Sequence, residues 1–335
     1  MLPRPLTNAL YGLYATHVLH MADRHGVFAH LAAGPATAAE TAAALGLDPD
    51  TLERLLLVLE AFELVERDDR NRYGLPTELA PYLDRGGDRH IGAMSAHMVN
   101  GAAAQLGRLD AYLTRGKAGV DADLPAPFDV IYATPESTRE FLDAMWQIGF
   151  DVSAELVRLA DLGGVRHLVD VGGASGAFCV SALRAHPGLA ATVYDLPQVG
   201  PYLAERTEEY GLAGRLEFAP GDFFRAAELP EADCLAFGYI LSDWTDDTCR
   251  ELLAKAHRAC ADGGRVLVME RLFDEGRRGP LATSVMNLSM HVETEGRHRT
   301  AGEYADLLSE AGFGDCRVLR SSQDKHLVVG YKTRP

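Results

Sequence analysis

The chain has 335 residues, enough for two domains with separate cores, and its 47% hydrophobic and 24% charged content is that of an ordinary globular protein. A formal net charge of -16 disfavours nucleic acid or an anionic membrane as partner, because neutralising phosphates requires a basic face. The five cysteines are scattered without a C-x-x-C pair, and the sequence shows neither a basic-then-apolar leader nor an apolar run of about 20 residues, so a protein of the reducing cytoplasm is expected, with no disulfide framework, zinc site or membrane span.

Residues 1–85 read as helices followed by a small wing. Thr37-Ala-Ala-Glu40 is a capping box, and Asp48-Pro49 places an N-cap before a proline at the first helical position. Leu52, Leu55, Leu56, Leu59 and Phe62 then recur at helical spacing and predict one buried face. Residues 65–75, interrupted by Asp68-Asp69-Arg70-Asn71, predict a hairpin that completes a winged-helix outline. DNA recognition does not follow, since Glu53, Glu60, Glu63 and Glu66 against Arg54 would present acids to phosphates. A scaffold or dimerisation module is the reading, with His17, His20, His25 and His30 on an entrance or dimer surface rather than on a metal.

Residues 86–160 form a helical region with a Gly/Pro/Asp-rich break at 116–127. Met94, His97, Met98, Phe141, Met145 and Trp146 suit the wall of an apolar pocket, although the same residues at helical spacing serve equally as plain core. Residues 161–335 alternate strands, at 168–171, 192–194, 216–219, 234–239, 265–270, 316–320 and 326–331, with helical stretches, which predicts a mostly parallel, doubly wound α/β (Rossmann-like) sheet.

The first of these strands runs into Asp170-Val-Gly172-Gly173-Ala-Ser-Gly176. The three glycines permit a sharp turn and close approach of a ligand, and the N–H groups opening the next helix are donors. A dinucleotide fingerprint would need glycine at Ala174, where the backbone approaches the pyrophosphate. The spacing D-x-G-x-x-x-G, followed after the second strand by Asp195, which can accept hydrogen bonds from both ribose hydroxyls, fits S-adenosylmethionine better than NAD.

With Gly221-Asp222-Phe223-Phe224, Leu241-Ser242-Asp243-Trp244, Asp274-Glu-Gly-Arg-Arg-Gly-Pro280 and Glu293-Thr-Glu-Gly-Arg-His-Arg-Thr300, the chain resembles, over nearly its whole length, the small-molecule O-methyltransferases typified by acetylserotonin and caffeate methyltransferases and their bacterial natural-product relatives. The resemblance implies S-adenosylmethionine as cofactor, a small, partly aromatic acceptor methylated on oxygen, and a homodimer formed through the N-terminal helices. The implied cofactor set is Asp170, Gly172, Gly173, Gly176, Asp195, Leu196, Gly221, Asp222, Phe223 and Ser242. Gly172 and its neighbours would hold the methionine end, Asp195 the ribose, and Asp222 with Phe223 the adenine; Asp222 serves equally as a turn residue. The acceptor pocket would draw on Met94, His97, Met98, Met145, Trp146, Asn287 and His291.

The chain departs from this family where the proton is removed. Members usually read Leu-His-Asp-Trp, with the histidine as base, and here Ser242 stands in its place. The glutamate that orients that histidine is replaced by His298, and the basic residue often found shortly before it by Gly238, while the third member of the trio, Glu270, is present. A serine hydroxyl is no base near neutral pH. Three solutions stay open: His298 or His291 acts from another side, oriented by Glu270 or Asp243; the acceptor is a carboxylate, thiol or acidic phenol already ionised; or Ser242, Asp243 and a histidine hold a metal, for which no repeated ligand pattern exists. The catalytic set is Asp243, Glu270 and His298, with no metal; Asp243 has a rival reading as cap of the helix that follows. Two further readings remain: a non-methylating S-adenosylmethionine-dependent hydroxylase, decarboxylase or pericyclase on the same scaffold, and a non-catalytic winged-helix regulator.

Overall fold

The computed structural model describes residues 2–333 apart from Asp88 and Asp123. The chain divides into two compact units, Met1–Ala104 and Gln105–Pro335.

In the first unit the local signals set the helix starts. The Thr37 hydroxyl accepts the Glu40 N–H at 3.2 Å while the Glu40 carboxylate accepts the Thr37 N–H at 2.8 Å, opening the helix Ala38–Leu45. Asp48 accepts the Thr51 N–H at 2.8 Å and opens Pro49–Ala61. Leu52, Leu56 and Leu59 are buried against Phe28, Leu31 and Tyr73, whereas Leu55 and Phe62 are only half-buried. The hairpin pairs Glu66 with Gly74 and Arg67 with Tyr73, and Tyr73 also bridges to Ala36, which ties the wing to the helical pair. On the long first helix, Arg4–Arg24, Leu6, Leu10, Leu13 and Tyr14 share one face and are each more than half exposed.

The described residues of the second unit form a seven-stranded sheet: β1 His167–Val171, β2 Ala190–Asp195, β3 Leu216–Pro220, β4 Ala232–Gly238, β5 Cys260–Glu270, β6 Gly314–Leu319 and β7 His326–Tyr331. Their spatial order is β6-β7-β5-β4-β1-β2-β3, parallel throughout except for β7, which is antiparallel to both neighbours. The chain therefore leaves β1 toward one edge, returns, and continues through β4 toward the other. That reversal makes β1/β4 the switch point where open α/β sheets bind ligands, outside the carboxyl ends of the strands.

Both faces are covered. Leu156, Val180 and Leu183 of the helices Pro135–Ala160 and Ala177–Ala185 pack on Leu168, Ala191, Val193 and Leu267. Leu252, Leu253 and Leu308 of Asp246–Ala259 and Ala301–Glu310 pack on Val169, Val171, Leu235 and Val268. Strands buried on two faces must read as continuous apolar runs, as these do. Strand limits differ from expectation mainly at β5, which begins at Cys260, and at β4, which stops at Gly238 because Tyr239 turns into left-handed backbone at φ 57°. Within the expected break, Lys117–Asp121 is helical, supported by the Lys117–Asp121 ion pair at 2.5 Å and the bond from the Tyr112 hydroxyl to Asp121 at 2.7 Å.

Candidate cofactor and acceptor site

The carboxyl ends of β1 to β5 carry the residues singled out from the sequence. Gly172 has φ 71°, and a methyl group there would run into Ile240 and come within 3.8 Å of Phe223, so the glycine turn lies against the chain that follows β4 and β3. A methyl on Gly173 would stand 2.8 Å from the Asp170 carboxylate, and Gly176, at φ 81°, opens the helix Ala177–Ala185. Ala174 also sits in the left-handed region, at φ 50°, which costs a non-glycine residue about 1–2 kcal/mol. Its N–H donates to Asp195 Oδ2 at 2.8 Å, a hydrogen bond to a charged acceptor that offsets the strain.

Asp195 Oδ1 accepts the Leu196 N–H at 2.7 Å. Burial pushes the Asp195 carboxyl up to about 6, against the pull of its two backbone donors. A carboxylate offers about four acceptor positions, so two are left for a diol. Asp170 is buried too, and burial raises it to about 7 while Lys325 and its positive charge oppose that rise. Asp222 Oδ1 accepts the Phe224 N–H at 2.8 Å and the carboxylate pairs with Arg225 at 3.3 Å, so its turn role is present. Phe223 meets Phe224 and Trp244 edge-on, at 4.6 and 6.4 Å. A methyl on Gly221 would run into the Tyr194 hydroxyl. A turn that tolerates no added Cβ, a buried carboxylate with spare acceptor positions and an aromatic ring beside them fit the amino-acid end, ribose and adenine of S-adenosylmethionine.

Ser242 is buried in the turn Leu241–Asp243, and its N–H donates to Glu270 Oε1 at 3.2 Å. Glu270 ends β5 fully buried, and its Oε2 has no hydrogen-bond partner among the described residues. Burial raises its carboxyl to about 7, opposed by Lys325 and Ser242. His298 is 2% exposed, and neither ring nitrogen makes a well-formed hydrogen bond. Burial, reinforced by Arg271 and Arg299, lowers it to about 4, so the imidazole is neutral at physiological pH. Asp243 is only half-buried by surface area, yet its carboxyl is densely surrounded, and this burial with Glu270 and Glu293 raises it well above the carboxylate range. The cap of Asp246–Ala259 is Thr245, whose hydroxyl accepts the Thr248 N–H at 3.3 Å; Asp243 does not fill that position.

Two segments distant in sequence meet here. The Glu295 N–H donates to the Asp243 carbonyl at 3.2 Å, and a methyl on Gly296 would run into the main chain of residues 242–244. The Arg299 guanidinium, whose side chain is 1% exposed, donates to the carbonyls of Leu241 at 2.7 Å and Trp244 at 2.9 Å and to Asp246 at 2.6 Å. His298 is tethered by its N–H to Asn287 Oδ1 at 2.8 Å.

The expected pocket residues are less uniform. Trp146 is buried core, stacked on Phe150 at 4.5 Å and beneath Arg206 at 4.3 Å, while Met145 is half-buried. Asn287 and His291 lie on the helix Leu281–Glu293; His291 is exposed in its last turn, edge-on to Tyr112, and His298 lies beyond the intervening turn, so the two histidines do not share a helical face. Met94, His97 and Met98, all half-buried, belong to the first unit. Among the described residues no group of three or more His, Cys, Asp or Glu is disposed to hold a metal ion. Nothing local in the sequence marks Lys325 or Arg299 as buried, and the turn at Gly296 meets the Ser242 turn only in the assembled fold.

Comparison with known proteins agrees with this architecture. The family model for the O-methyltransferase domain matches residues 114–314, and that for the O-methyltransferase dimerisation domain matches residues 7–83. The chain is 34% identical to the 3-hydroxy-5-methyl-1-naphthoate 3-O-methyltransferase of Streptomyces sahachiroi, over 98% of this chain and 95% of that protein. It is likewise 34% identical to the acetylserotonin O-methyltransferase of Bos taurus, over 96% of this chain and 95% of that protein. The crystal structure of human N-acetylserotonin methyltransferase in complex with SAM superposes with a TM-score of 0.90 at 29% identity, covering 98% of this chain and 97% of that one. The chain thus belongs to the O-methyltransferase family, with the family's dimerisation domain ahead of its catalytic domain.

Proposed function

We propose that this chain methylates a hydroxyl oxygen of a small aromatic acceptor, using S-adenosylmethionine, with Glu270 taking up the acceptor's proton and His298 holding the hydroxyl in line. The observation that carries this reading is two titratable groups buried near the Ser242 turn without a well-formed hydrogen bond to spend their capacity on: Glu270 Oε2 and the His298 imidazole. Buried polar atoms are rarely left without partners unless a substrate or solvent supplies one.

The division of labour follows from their acidities. Bound S-adenosylmethionine supplies an electrophilic methyl group on a sulfonium. The protein must align the attacking oxygen, exclude water and remove a proton. Glu270, raised to about 7 by burial, is matched to that last task near neutral pH. His298, lowered to about 4, is a poor proton acceptor but as a neutral imidazole can donate to or accept from the acceptor hydroxyl. Ser242 contributes its N–H, which fixes Glu270 Oε1 and leaves Oε2 for the acceptor. Asp243, whose carboxyl is pushed up by burial and by Glu270 and Glu293, borders the site as an orienting group. On the cofactor side, Asp195 takes the ribose hydroxyls and the turn at Gly172 and Gly173 the methionine end, while Gly221, Asp222 and Phe223 border the adenine.

The relatives act on acceptors of this class, a hydroxynaphthoate and acetylserotonin. The dimerisation-domain match and the exposed apolar face of Arg4–Arg24 support a homodimer built through the N-terminal helices. The low basicity of His298 favours one second reading, in which the acceptor arrives already ionised and proximity suffices. The deciding experiment follows S-adenosylhomocysteine release with hydroxynaphthoates and hydroxyindoles of graded acidity, in wild type and Glu270→Gln. A wild-type rate that rises as Glu270 ionises, lost in the variant, supports the proton-acceptor role. An unchanged pH profile in the variant sinks it in favour of proximity, and acceptor conversion without S-adenosylhomocysteine would place the chain among non-methylating enzymes.

A further inference from the structure

Lys325 is a buried basic residue to which the proposed chemistry assigns no role. Lys325 immediately precedes β7, whose first residue, His326, pairs with Glu270 at the end of β5. Its side chain therefore starts at the same sheet edge as the site. The residue is 7% exposed, and its ammonium crosses β5 toward the end of β4, where it stands 3.0 Å from the point at which a Cβ on Gly238 would project. The absence of a side chain at Gly238 is what makes room for it. The ammonium lies 3.9 Å from the centre of the Tyr239 ring, and Arg271 lies 4.7 Å from the same ring. Tyr239 holds this position in left-handed backbone, its N–H bonded to the Met269 carbonyl at 3.1 Å.

Among the described residues the Lys325 ammonium has no hydrogen-bond acceptor and no carboxylate within 4.0 Å; Asp170 and Glu270 attract it from farther away. An aromatic face satisfies a cation only in part, and an ammonium has three donors to place. A cation held at the ligand-binding end of the sheet with no carboxylate or carbonyl engaging it suits a site completed by an anion.

We propose that Lys325 is the carboxylate-binding residue of this site. The geometry favours the methionine carboxylate of S-adenosylmethionine as the group it binds, and this rests on the cofactor reading above. That end of the molecule is a zwitterion, and the switch point offers both signs: Asp170 beneath Gly173 for the ammonium, Lys325 beside Gly238 for the carboxylate. β1 and β4 are paired neighbours, Asp170 opposite Ala236, so the two charges lie at the same end of the sheet, near enough to attract each other. A carboxylate on the acceptor is the other source of the same chemistry, since Lys325 also faces Glu270.

The test measures binding by calorimetry, for wild type, Lys325→Met and Lys325→Arg, with S-adenosylhomocysteine, S-adenosylmethionine and decarboxylated S-adenosylmethionine. Wild type should bind the decarboxylated compound about 10- to 100-fold more weakly than S-adenosylmethionine, the range for a hydrogen bond to a charged group. Lys325→Met should lose a similar factor toward S-adenosylmethionine and S-adenosylhomocysteine and nothing toward the decarboxylated compound, with partial recovery in Lys325→Arg. Loss of a merely structural charge would weaken all three compounds alike, and that result overturns the proposal. Unchanged cofactor affinity, with a tenfold rise in KM confined to carboxylate-bearing acceptors, supports the same chemistry with the acceptor as its source. Unchanged affinity for both overturns it. The wild-type arm needs no variant to fold, and wild-type protein that binds no S-adenosylmethionine refutes the cofactor reading and this inference with it.

Discussion

Replacing Arg299 by Met should loosen the turn that carries Ser242 and Asp243. The guanidinium donates to the Leu241 and Trp244 carbonyls at 2.7 and 2.9 Å and its side chain is 1% exposed. Methionine retains much of the stem's volume but no donor, so the carbonyls of Leu241, Trp244 and Arg297 lose the guanidinium, the first two keeping only the weak Cys249 thiol. At about 1–3 kcal/mol for each of the two shortest of these bonds, the loss is about 2–6 kcal/mol. The ion pair adds little beyond this, because Asp246 is 39% exposed and water screens it. In a unit of this size about 1 kcal/mol shifts the melting temperature by about 2–4 °C, so a fall of about 5–20 °C is expected. A thermal melt followed by steady-state kinetics checks both consequences. Since the turn sets the 3.2 Å contact between Ser242 N–H and Glu270, kcat should fall at least about tenfold. KM for S-adenosylmethionine should hold, because the Gly172 and Asp195 side makes no use of Arg299. A variant that melts within about 1 °C of wild type and keeps its kcat would refute the clamp.

Three other substitutions test the same geometry. Glu270→Gln should lower kcat by about 10²- to 10⁴-fold and abolish the rise in rate toward pH 7, with cofactor affinity retained. The same variant has a stability signature: the Glu270 pKa is raised by burial to about 7, so its contribution is present below the unfolded value and lost as pH rises through about 7. Urea unfolding should therefore show Glu270→Gln gaining on wild type between pH 5 and pH 7.5, by on the order of 1–3 kcal/mol; a constant difference would contradict the raised pKa. Asp195→Asn keeps the side chain's shape but gives up acceptor capacity, and calorimetry should show S-adenosylmethionine bound about 10- to 100-fold more weakly, with equal affinity arguing against a ribose contact. Gly296→Ala drives a methyl into the main chain of residues 242–244, which cannot yield as a side chain would, so both melting temperature and kcat should drop. Gly276→Ala, where the nearest atoms are side-chain atoms 3.7 Å away or more, is its neutral control.

The cofactor half of the site could be anticipated because its determinants are local and arranged along the strands. Gly172, Gly173 and Gly176 are spaced for one turn, and Asp195 closes the next strand, so reading the alternation of apolar runs already brings them to one edge. The acceptor half could not. Ser242 and His298 were visible as departures from a pattern, but their environment depends on Glu270, Asn287 and Arg299, which approach only once the sheet and the helix Leu281–Glu293 are assembled. The candidate pocket residues are not legible in the sequence for the same reason: Trp146 has the periodicity of a helix face, and which side of that face is core is decided by Phe150, Tyr210 and Arg206.

By itself the sequence determined what depends on neighbours a few residues away: the capped helices at Thr37 and Asp48, the apolar strands of a doubly wound sheet, the glycine turn and the family they belong to. The tertiary structure alone decided which charges are taken out of water. Lys325 and Arg299 are ordinary basic residues in the sequence; the first is buried because Gly238 on another strand leaves it space, the second because three carbonyls and a carboxylate converge on it. Burial is a property of packing between distant segments, and the acidities of Glu270 and His298, on which the proposed chemistry depends, are consequences of burial.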